Sequence, residues 1–373
     1  MPFVMLEDAP KQRAVSVHVT PSLVRGAVLQ DQWWSFGIET EEGYNDFVLY
    51  SGPIGYNRKH SIAKALQREP MRYADTYINM EPGQVIEKEF FIESYAITEE
   101  GSGFQRPVYT SLDLYKPYNV EQYPSFDCIV EGKYRQAKLR WTEKENVKGF
   151  NMYDPAFRRA IVMGWCGQAD SPGYALQVLE KRINDPEIPY MVQQSLDFLT
   201  TFPMLDGGVF RTEYDIDEKN YNGGDHVSCG QAMYNLAKAI ENGRKSKKYD
   251  TLKWEEFLRK TADAQSRRIL DELWNPHSTA EAFYIAPLIM ASKLFKQERY
   301  RKAAEKTSNL YAERRCNMTL GCYWGGTLDA TCEDKEGAWA AFQGFLEMYE
   351  RIGEQKYLKW AKHAMDVCLS YVV

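Results

Sequence analysis

The chain has 373 residues and a formal net charge of −6, and its Lys and Arg residues are scattered along its length. This distribution argues against nucleic-acid binding, which needs a basic face. No apolar run reaches the ~18 residues that a transmembrane helix needs, so we expect no membrane partner. Aromatic residues make up 14% of the chain, more than a helical core requires, and sugar rings stack well on such side chains.

Short strand-like segments dominate the first hundred residues. Val15, Val17 and Val19 alternate with polar residues, and later segments are separated by turn signals rich in Gly and Pro. Such a pattern is typical of an antiparallel sandwich. We therefore predict a β-sandwich over residues 1–124, ending in an aromatic, proline-containing connector from Tyr109 to Pro124. The predicted strands cover residues 15–19, 33–38, 47–50, 77–80 and 85–97.

Residues 125–373 have the pattern of a helical repeat. After a predicted helix at Phe126–Trp141, helix-start signals recur near Gly173, Cys229, Glu281 and Gly337, at steps of 56, 52 and 56 residues. Each signal opens a helix rich in small and apolar residues, which a more polar helix follows. This period predicts an array of helical hairpins, with nine helices in all. The predicted pairs are Gly173–Ile183 with Ile188–Phe202, Cys229–Glu241 with Leu252–Leu273, Glu281–Phe295 with Arg299–Glu313, and Gly337–Arg351 with Lys356–Val373.

Two sequence phrases add a family resemblance to this architecture. Met80–Phe91 looks like the sandwich strand that precedes a helical toroid, and Tyr349–Ala361 looks like a hairpin turn of one. Together they resemble the six-hairpin glycosidase superfamily over most of the chain. The resemblance implies an N-terminal antiparallel β-sandwich followed by an (α/α)6 toroid. A full toroid has twelve helices, so we expect this chain, which stops on an apolar helix, to lack the last hairpins.

Carboxylates lie in the loops that enter the first helix of each hairpin, and the resemblance places these loops at one end of the ring. Cleavage of a glycosidic bond usually uses two carboxyl groups. We predict Asp225 with Asp334 or Glu336 as the catalytic pair, with Glu281 in reserve. Helix capping is the competing explanation. Ser278 to Glu281 matches a capping box, and Thr331 to Asp334 matches a looser one.

Other residues are candidates for substrate binding. Arg211 has the planar fork that matches a sugar carboxylate, although an ion pair with Glu213 or Asp215 would also explain it. Gly223 and Gly224 would let the backbone approach a ligand, and His226 offers a hydrogen bond beside Asp225. Two clusters of aromatic residues and glycines, at residues 164–168 and 322–326, could stack on a sugar ring or pack in the core. Their predicted ligand-binding residues are Trp165, Gln168, Tyr323 and Trp324.

The leading hypothesis is a glycoside hydrolase that cleaves an oligo- or polysaccharide, with a uronic-acid sugar favoured, by an inverting acid–base mechanism without a cofactor. A uronide lyase or epimerase that uses His226, Tyr214 and Arg211 is the second hypothesis. A non-catalytic carbohydrate-binding protein, in which the acids are caps, is the third. The five scattered His residues argue against a metal site.

The seven Cys residues form no C-x-x-C motif, so free thiols are expected. A Cys322–Cys332 or Cys316–Cys322 bridge stays open. Oligomeric state and compartment are not specified by the sequence.

Overall fold

The computed structural model describes residues 3–19, 34–51, 82–83, 89–114, 124–153, 156–164, 171–276, 278–317 and 335–369. Within these ranges the chain before residue 100 forms strands, and the chain from residue 105 onward is mainly helical. None of the helices found there has both the length and the apolar character needed to cross a bilayer.

The N-terminal strands form two separate antiparallel units. β1 (Phe3–Asp8), β2 (Arg13–Val19) and β5 (Phe90–Ala96) make a three-stranded sheet with β2 in the centre, while β3 (Trp34–Glu41) and β4 (Tyr44–Ser51) make a hairpin. A small core of Ala14, Tyr95 and Ile97 lies on one face of the sheet. The predicted strand at 77–80 lies outside the described residues, and the full sandwich stays a prediction.

The connector predicted from Tyr109 begins inside a helix, because α1 (Gln105–Leu114) occupies this segment. Pro107 lies in its first turn, where a missing N–H costs no helical hydrogen bond. Val108 and Ser111 are three residues apart and are both buried. Ser111 Oγ lies 3.1 Å from His18 Nδ1 on β2, so α1 is hydrogen-bonded to the sheet.

Helix α2 (Phe126–Leu139) confirms the prediction, with the Ser125 hydroxyl accepting from the Cys128 N–H at its start. It ends before Trp141, which instead begins a strand and packs on Phe150 at 4.9 Å between ring centroids. The sequence did not reveal the short strands that follow. They are β6 (Trp141–Lys144) paired with β7 (Val147–Phe150), and a sheet of β8 (Ala160–Val162), β9 (Glu213–Asp215) and β10 (Asn220–Asn222).

All four predicted helical hairpins are present. In the last three hairpins the first, inner helix carries the more buried face, and the second, outer helix covers it with large side chains such as Trp254, Tyr300 and Tyr357. In the first hairpin the second helix is the more buried one. A single apolar core runs through the array. The pairs are α3 (Leu176–Ile183) with α4 (Ile188–Leu199), α5 (His226–Ser246) with α6 (Leu252–Leu270), α7 (Ile285–Phe295) with α8 (Glu298–Asn317), and α9 (Lys335–Ile352) with α10 (Gln355–Leu369).

Two glycines allow the inner helices to approach closely. A Cβ on Gly230 of α5 would lie 2.4 Å from the Cβ of Phe283, and one on Gly344 of α9 would lie 2.7 Å from the Cβ of Ile285. Neither space admits a methyl group without movement of the backbone. The segment that leads into α7 therefore lies directly against α5, and the start of α7 lies against α9.

That leading segment, Thr279–Tyr284, is a 3-10 helix rather than the α-helix predicted from Glu281. Pro287 lacks the N–H that would bond to the carbonyl of Phe283, so the regular α-helical ladder cannot run through this point. In a 3-10 helix residues i and i+3 share a face. Glu281 and Tyr284 are consequently presented on the same side, toward the start of α5.

Candidate active site

Two of the predicted site residues come together where the second and third hairpins begin. His226 is the first residue of α5, and its Nε2 lies 4.0 Å from Oε1 of Glu281. The other ring nitrogen, Nδ1, is 2.9 Å from the hydroxyl of Tyr284. The imidazole thus lies between a carboxylate and a phenol, both supplied by the 3-10 helix.

Glu281 is held by two donors from the end of the preceding hairpin. Its Oε2 accepts a hydrogen bond from Arg268 Nη2 at 2.6 Å and another from Trp274 Nε1 at 2.7 Å. Its side chain is only 10% exposed. In place of the predicted capping box, Ser278 Oγ accepts from the Ala280 N–H, while the carboxylate makes these tertiary contacts.

The surroundings of His226 keep its imidazole neutral near pH 7. Burial lowers its pKa below the ordinary 6.5, and Arg268 lowers it further, while the negative charges of Glu281 and Asp225 act in the opposite direction. The side chain is nevertheless 34% exposed. Tyr284 is fully buried, which raises its pKa well above 10 and keeps its hydroxyl protonated. A neutral imidazole with one accessible edge can accept a proton from a ligand.

Asp225 caps helix α5. Its Oδ1 accepts from the Ser228 N–H and its Oδ2 from the Ser228 hydroxyl, both at 2.8 Å. The glycines before it have positive φ values, and a Cβ on Gly223 would lie 2.4 Å from Thr212 Oγ1. These glycines are therefore needed for the packing of the loop on itself. The catalytic role of Asp225 stays a prediction.

Arg211 supports the same loop. Its Nη1 donates to the carbonyl of Gly223 at 2.9 Å. The alternative of an ion pair with Glu213 or Asp215 is wrong, because both carboxylates bind Arg158 instead. Arg211 stays partly exposed. Gly223, whose carbonyl it contacts, is two residues before Asp225 in the chain.

Glu336, the second residue of α9, is half-buried. One turn later, Trp339 packs edge-on against Phe283 at 5.6 Å between ring centroids. Since Phe283 adjoins Tyr284, the start of α9 lies beside the 3-10 helix. The remaining predicted site residues, Asp334, Trp165, Gln168, Tyr323 and Trp324, lie outside the described residues.

Sequence reasoning missed three contributors to this cluster: Arg268, Trp274 and Tyr284. Arg268 ends a helix and reads as an ordinary favourable charge at a helix C-terminus, so its sequence position gives no sign of a bond to Glu281. Trp274, an aromatic in the loop just before Glu281, was the available signal. Within the described ranges, no three His, Cys, Asp or Glu side chains are grouped so as to hold a metal ion.

Comparison with known proteins yields structural overlaps only. Neither a family model nor a curated protein matches the chain. A GH76 α-mannanase from Bacteroides thetaiotaomicron overlaps with a TM-score of 0.45 at 11% identity, over 70% of each chain. A cellobiose 2-epimerase from Bacillus thermoamylovorans gives 0.47 at 12%, over 73% of this chain and 76% of that one. A D-mannose isomerase gives 0.45 at 13%, over 66% and 72%.

Each of these three overlaps has a TM-score below 0.5 and an identity of 13% or less. Such overlaps are loose, so the function is argued below from the residues of the chain itself.

Proposed function

We propose that this chain is a carbohydrate-active enzyme in which His226 accepts a proton from the sugar and Glu281 stabilises the imidazolium that results. The observation that carries the proposal is the approach of His226 Nε2 to Glu281 Oε1 at 4.0 Å, with the imidazole edge still accessible. The two groups come from the starts of different hairpins, so the fold rather than local sequence brings them together.

The roles follow from charge and hydrogen bonding. The neutral imidazole takes a proton from a sugar C–H beside a carboxylate or carbonyl group, and the resulting imidazolium is stabilised by the Glu281 side chain. Arg268 and Trp274 hold that carboxylate in place, and the hydroxyl of Tyr284 fixes the orientation of the ring. Arg211 is the residue that we expect to bind a substrate carboxylate.

This arrangement favours the lyase or epimerase hypothesis over hydrolysis. After proton transfer, the carbanion either expels the glycosidic oxygen from the neighbouring carbon, which leaves a double bond while the oxygen takes a proton from the imidazolium or water, or regains a proton from water on its opposite face. A hydrolase needs a second carboxyl across from the first. Among the described residues the group facing Glu281 at this distance is an imidazole.

Hydrolysis is the second candidate, with Glu281 and Glu336 as the carboxyl pair. It is favoured by the contact between Phe283 and Trp339, which brings the helix starts bearing the two acids side by side. A carboxyl separation of about 6.5–9.5 Å would fit inverting chemistry.

A product screen by proton NMR tests the proposal. The purified protein is incubated with uronic-acid oligosaccharides, reducing sugars and aryl glycosides, and the products are assigned as unsaturated, epimerised or hydrolysed. We expect unsaturated or epimerised products, and their loss in His226→Gln. His363→Gln, on outer helix α10, is the matched control. Hydrolysis that is unaffected by His226→Gln, or sugar binding without turnover, would overturn the proposal.

A further inference from the structure

A buried glutamine connects the long loop over residues 203–225 to the Glu281 carboxylate. Gln265, on α6, is fully buried. Its Nε2 donates to the carbonyl of Gly208 at 2.5 Å, and its Oε1 accepts from Arg268 Nε at 3.0 Å. Both ends of the amide are used, and their orientation is fixed, because a flipped amide would place its NH2 against the guanidinium N–H and its oxygen against a carbonyl.

The contacts continue from Arg268 to His226. The guanidinium uses Nε for Gln265 and Nη2 for Glu281, and the free oxygen of Glu281 faces the imidazole. The loop backbone at Gly208 is thus joined to His226 through three side chains in sequence. A guanidinium held at two separate nitrogens has a defined plane, and that plane sets the position of the carboxylate it binds.

Gly208 contacts Gln265 in a backbone conformation that favours glycine. Gly208 has φ of +82°, and a Cβ there would lie 3.1 Å from the Cβ of Ala264 and 3.2 Å from Gln265 Nε2. Glycine therefore allows the loop to lie on α6 with its carbonyl directed at Gln265. Further along, the same loop passes through Asp225 into His226, so the loop meets the site at two points.

We propose that Gln265 is a positioning residue, which anchors Arg268 to the loop at Gly208 and thereby holds Glu281 toward His226. It acts through Arg268 and has no contact of its own with the reacting groups. Its effect on turnover rests on the proposed function, whereas its effect on the geometry of the cluster does not.

The charges around His226 determine what loss of this anchor does. Arg268 lowers the pKa of His226, Glu281 and Asp225 raise it, and Tyr284 stays neutral. When Gln265 no longer holds Arg268, the guanidinium and the Glu281 carboxylate bound to it both gain freedom to move away from the imidazole. The effect of Glu281 on the pKa of His226 is the larger of the two. We therefore expect the pKa of His226 to fall, and the loop backbone around Gly208 to open more often.

Gln265→Leu tests this, with Gln265→Met as a second variant of similar volume should the first not fold. Gln177→Leu is the matched control, because Gln177 is also a buried glutamine that donates to a backbone carbonyl, that of Ala239. The imidazole C–H signals are titrated by NMR, with the His226 signal identified by its absence in His226→Gln. Hydrogen exchange is followed in the segment 203–212.

We expect a downward shift of several tenths of a pH unit in the His226 titration and faster exchange in the segment, both absent in the control. An unchanged titration in a folded Gln265 variant would overturn the proposal. In the product screen we expect kcat to fall with KM nearly constant. If the titration shifts but the parent protein turns over no sugar, the proposed function fails and the positioning role stands.

Discussion

At the scale of single residues, the acids at the helix starts divide by what they bind. Asp225 uses both oxygens on Ser228, as a cap does, while Glu281 uses one oxygen on Arg268 and Trp274 and directs the other toward His226. Sequence alone predicts that acids gather at helix starts. It cannot separate these two cases, because the partners of Glu281 come from the preceding outer helix and its loop. The residues next to Arg268 in the sequence do not indicate that it binds Glu281.

The pH dependence of turnover follows from the lowered pKa of His226. Its folded-state pKa lies below 6.5 because burial opposes the charged form. The base form therefore predominates above pH 6.5 and is lost as the pH falls through the lower value. We predict a kcat/KM that is level at neutral pH and declines on the acid side, as measured over a pH series. A decline that begins above pH 7 would contradict the assignment.

Glu281→Gln removes the negative charge while keeping an oxygen for Arg268 and Trp274. Since Glu281 raises the pKa of His226, its loss should lower that pKa further and move the acid-side decline to lower pH. The imidazolium formed in the reaction also loses its partner, so we predict a fall in kcat of about 100-fold. Steady-state kinetics against pH measure both effects. An acid-side decline displaced to higher pH would refute the pairing.

At the scale of elements, the hairpins could be predicted because small residues recur at a steady period on the inner helices. Ala232, Ala286 and Ala340 are all buried where these helices meet. Helix α1 was missed because its buried face has only Pro107, Val108 and Ser111, too few apolar residues to show a helical period. The 3-10 segment was missed because Pro287 removes the α-helical hydrogen bond to Phe283, four residues earlier. The sequence around Glu281 itself shows no break in the helix.

Two helical glycines give opposite predictions. At Gly230 an added Cβ would lie 2.4 Å from the Cβ of Phe283, whereas at Gly132 on α2 it would meet nothing within 4 Å. Gly230→Ala should lower the free energy of unfolding by about 3 kcal/mol or more, since the neighbouring backbone must move. Gly132→Ala should raise it by about 0.5–1 kcal/mol through helix propensity.

Urea denaturation of both variants checks these values. Equal effects of the two substitutions would contradict the close contact between α5 and the 3-10 helix.

At the scale of the whole molecule, polar contacts join elements that are distant in sequence. The hydroxyl of Tyr234 on α5 donates to Glu347 on α9 at 2.9 Å, and Gln105 on α1 donates to Asp366 on α10 at 2.7 Å. The first contact links the second hairpin with the fourth, and the second links the N-terminal half to the last described helix. Neither could be predicted, because such pairings depend on how the hairpins curve.

Tyr234→Phe should destabilise the fold, because Glu347 is only 6% exposed and would lose a buried donor. We predict a loss of about 1–3 kcal/mol in the free energy of unfolding. Tyr190→Phe is the control, since Tyr190 also donates to a glutamate, Glu143, but is 46% exposed. Its effect should stay below about 0.5 kcal/mol. Denaturation curves that show the larger loss for Tyr190→Phe would contradict this ranking.

The acid–base role of His226 is tested most directly by release of isotope from a labelled sugar. A substrate identified in the product screen is deuterated at the carbon beside its carboxylate or carbonyl group, and transfer of the label to water is followed by NMR. We predict that turnover by the parent protein releases the label and that His226→Gln stops the release while His363→Gln does not. Turnover that leaves the label on carbon, or release that persists in His226→Gln, would contradict the account.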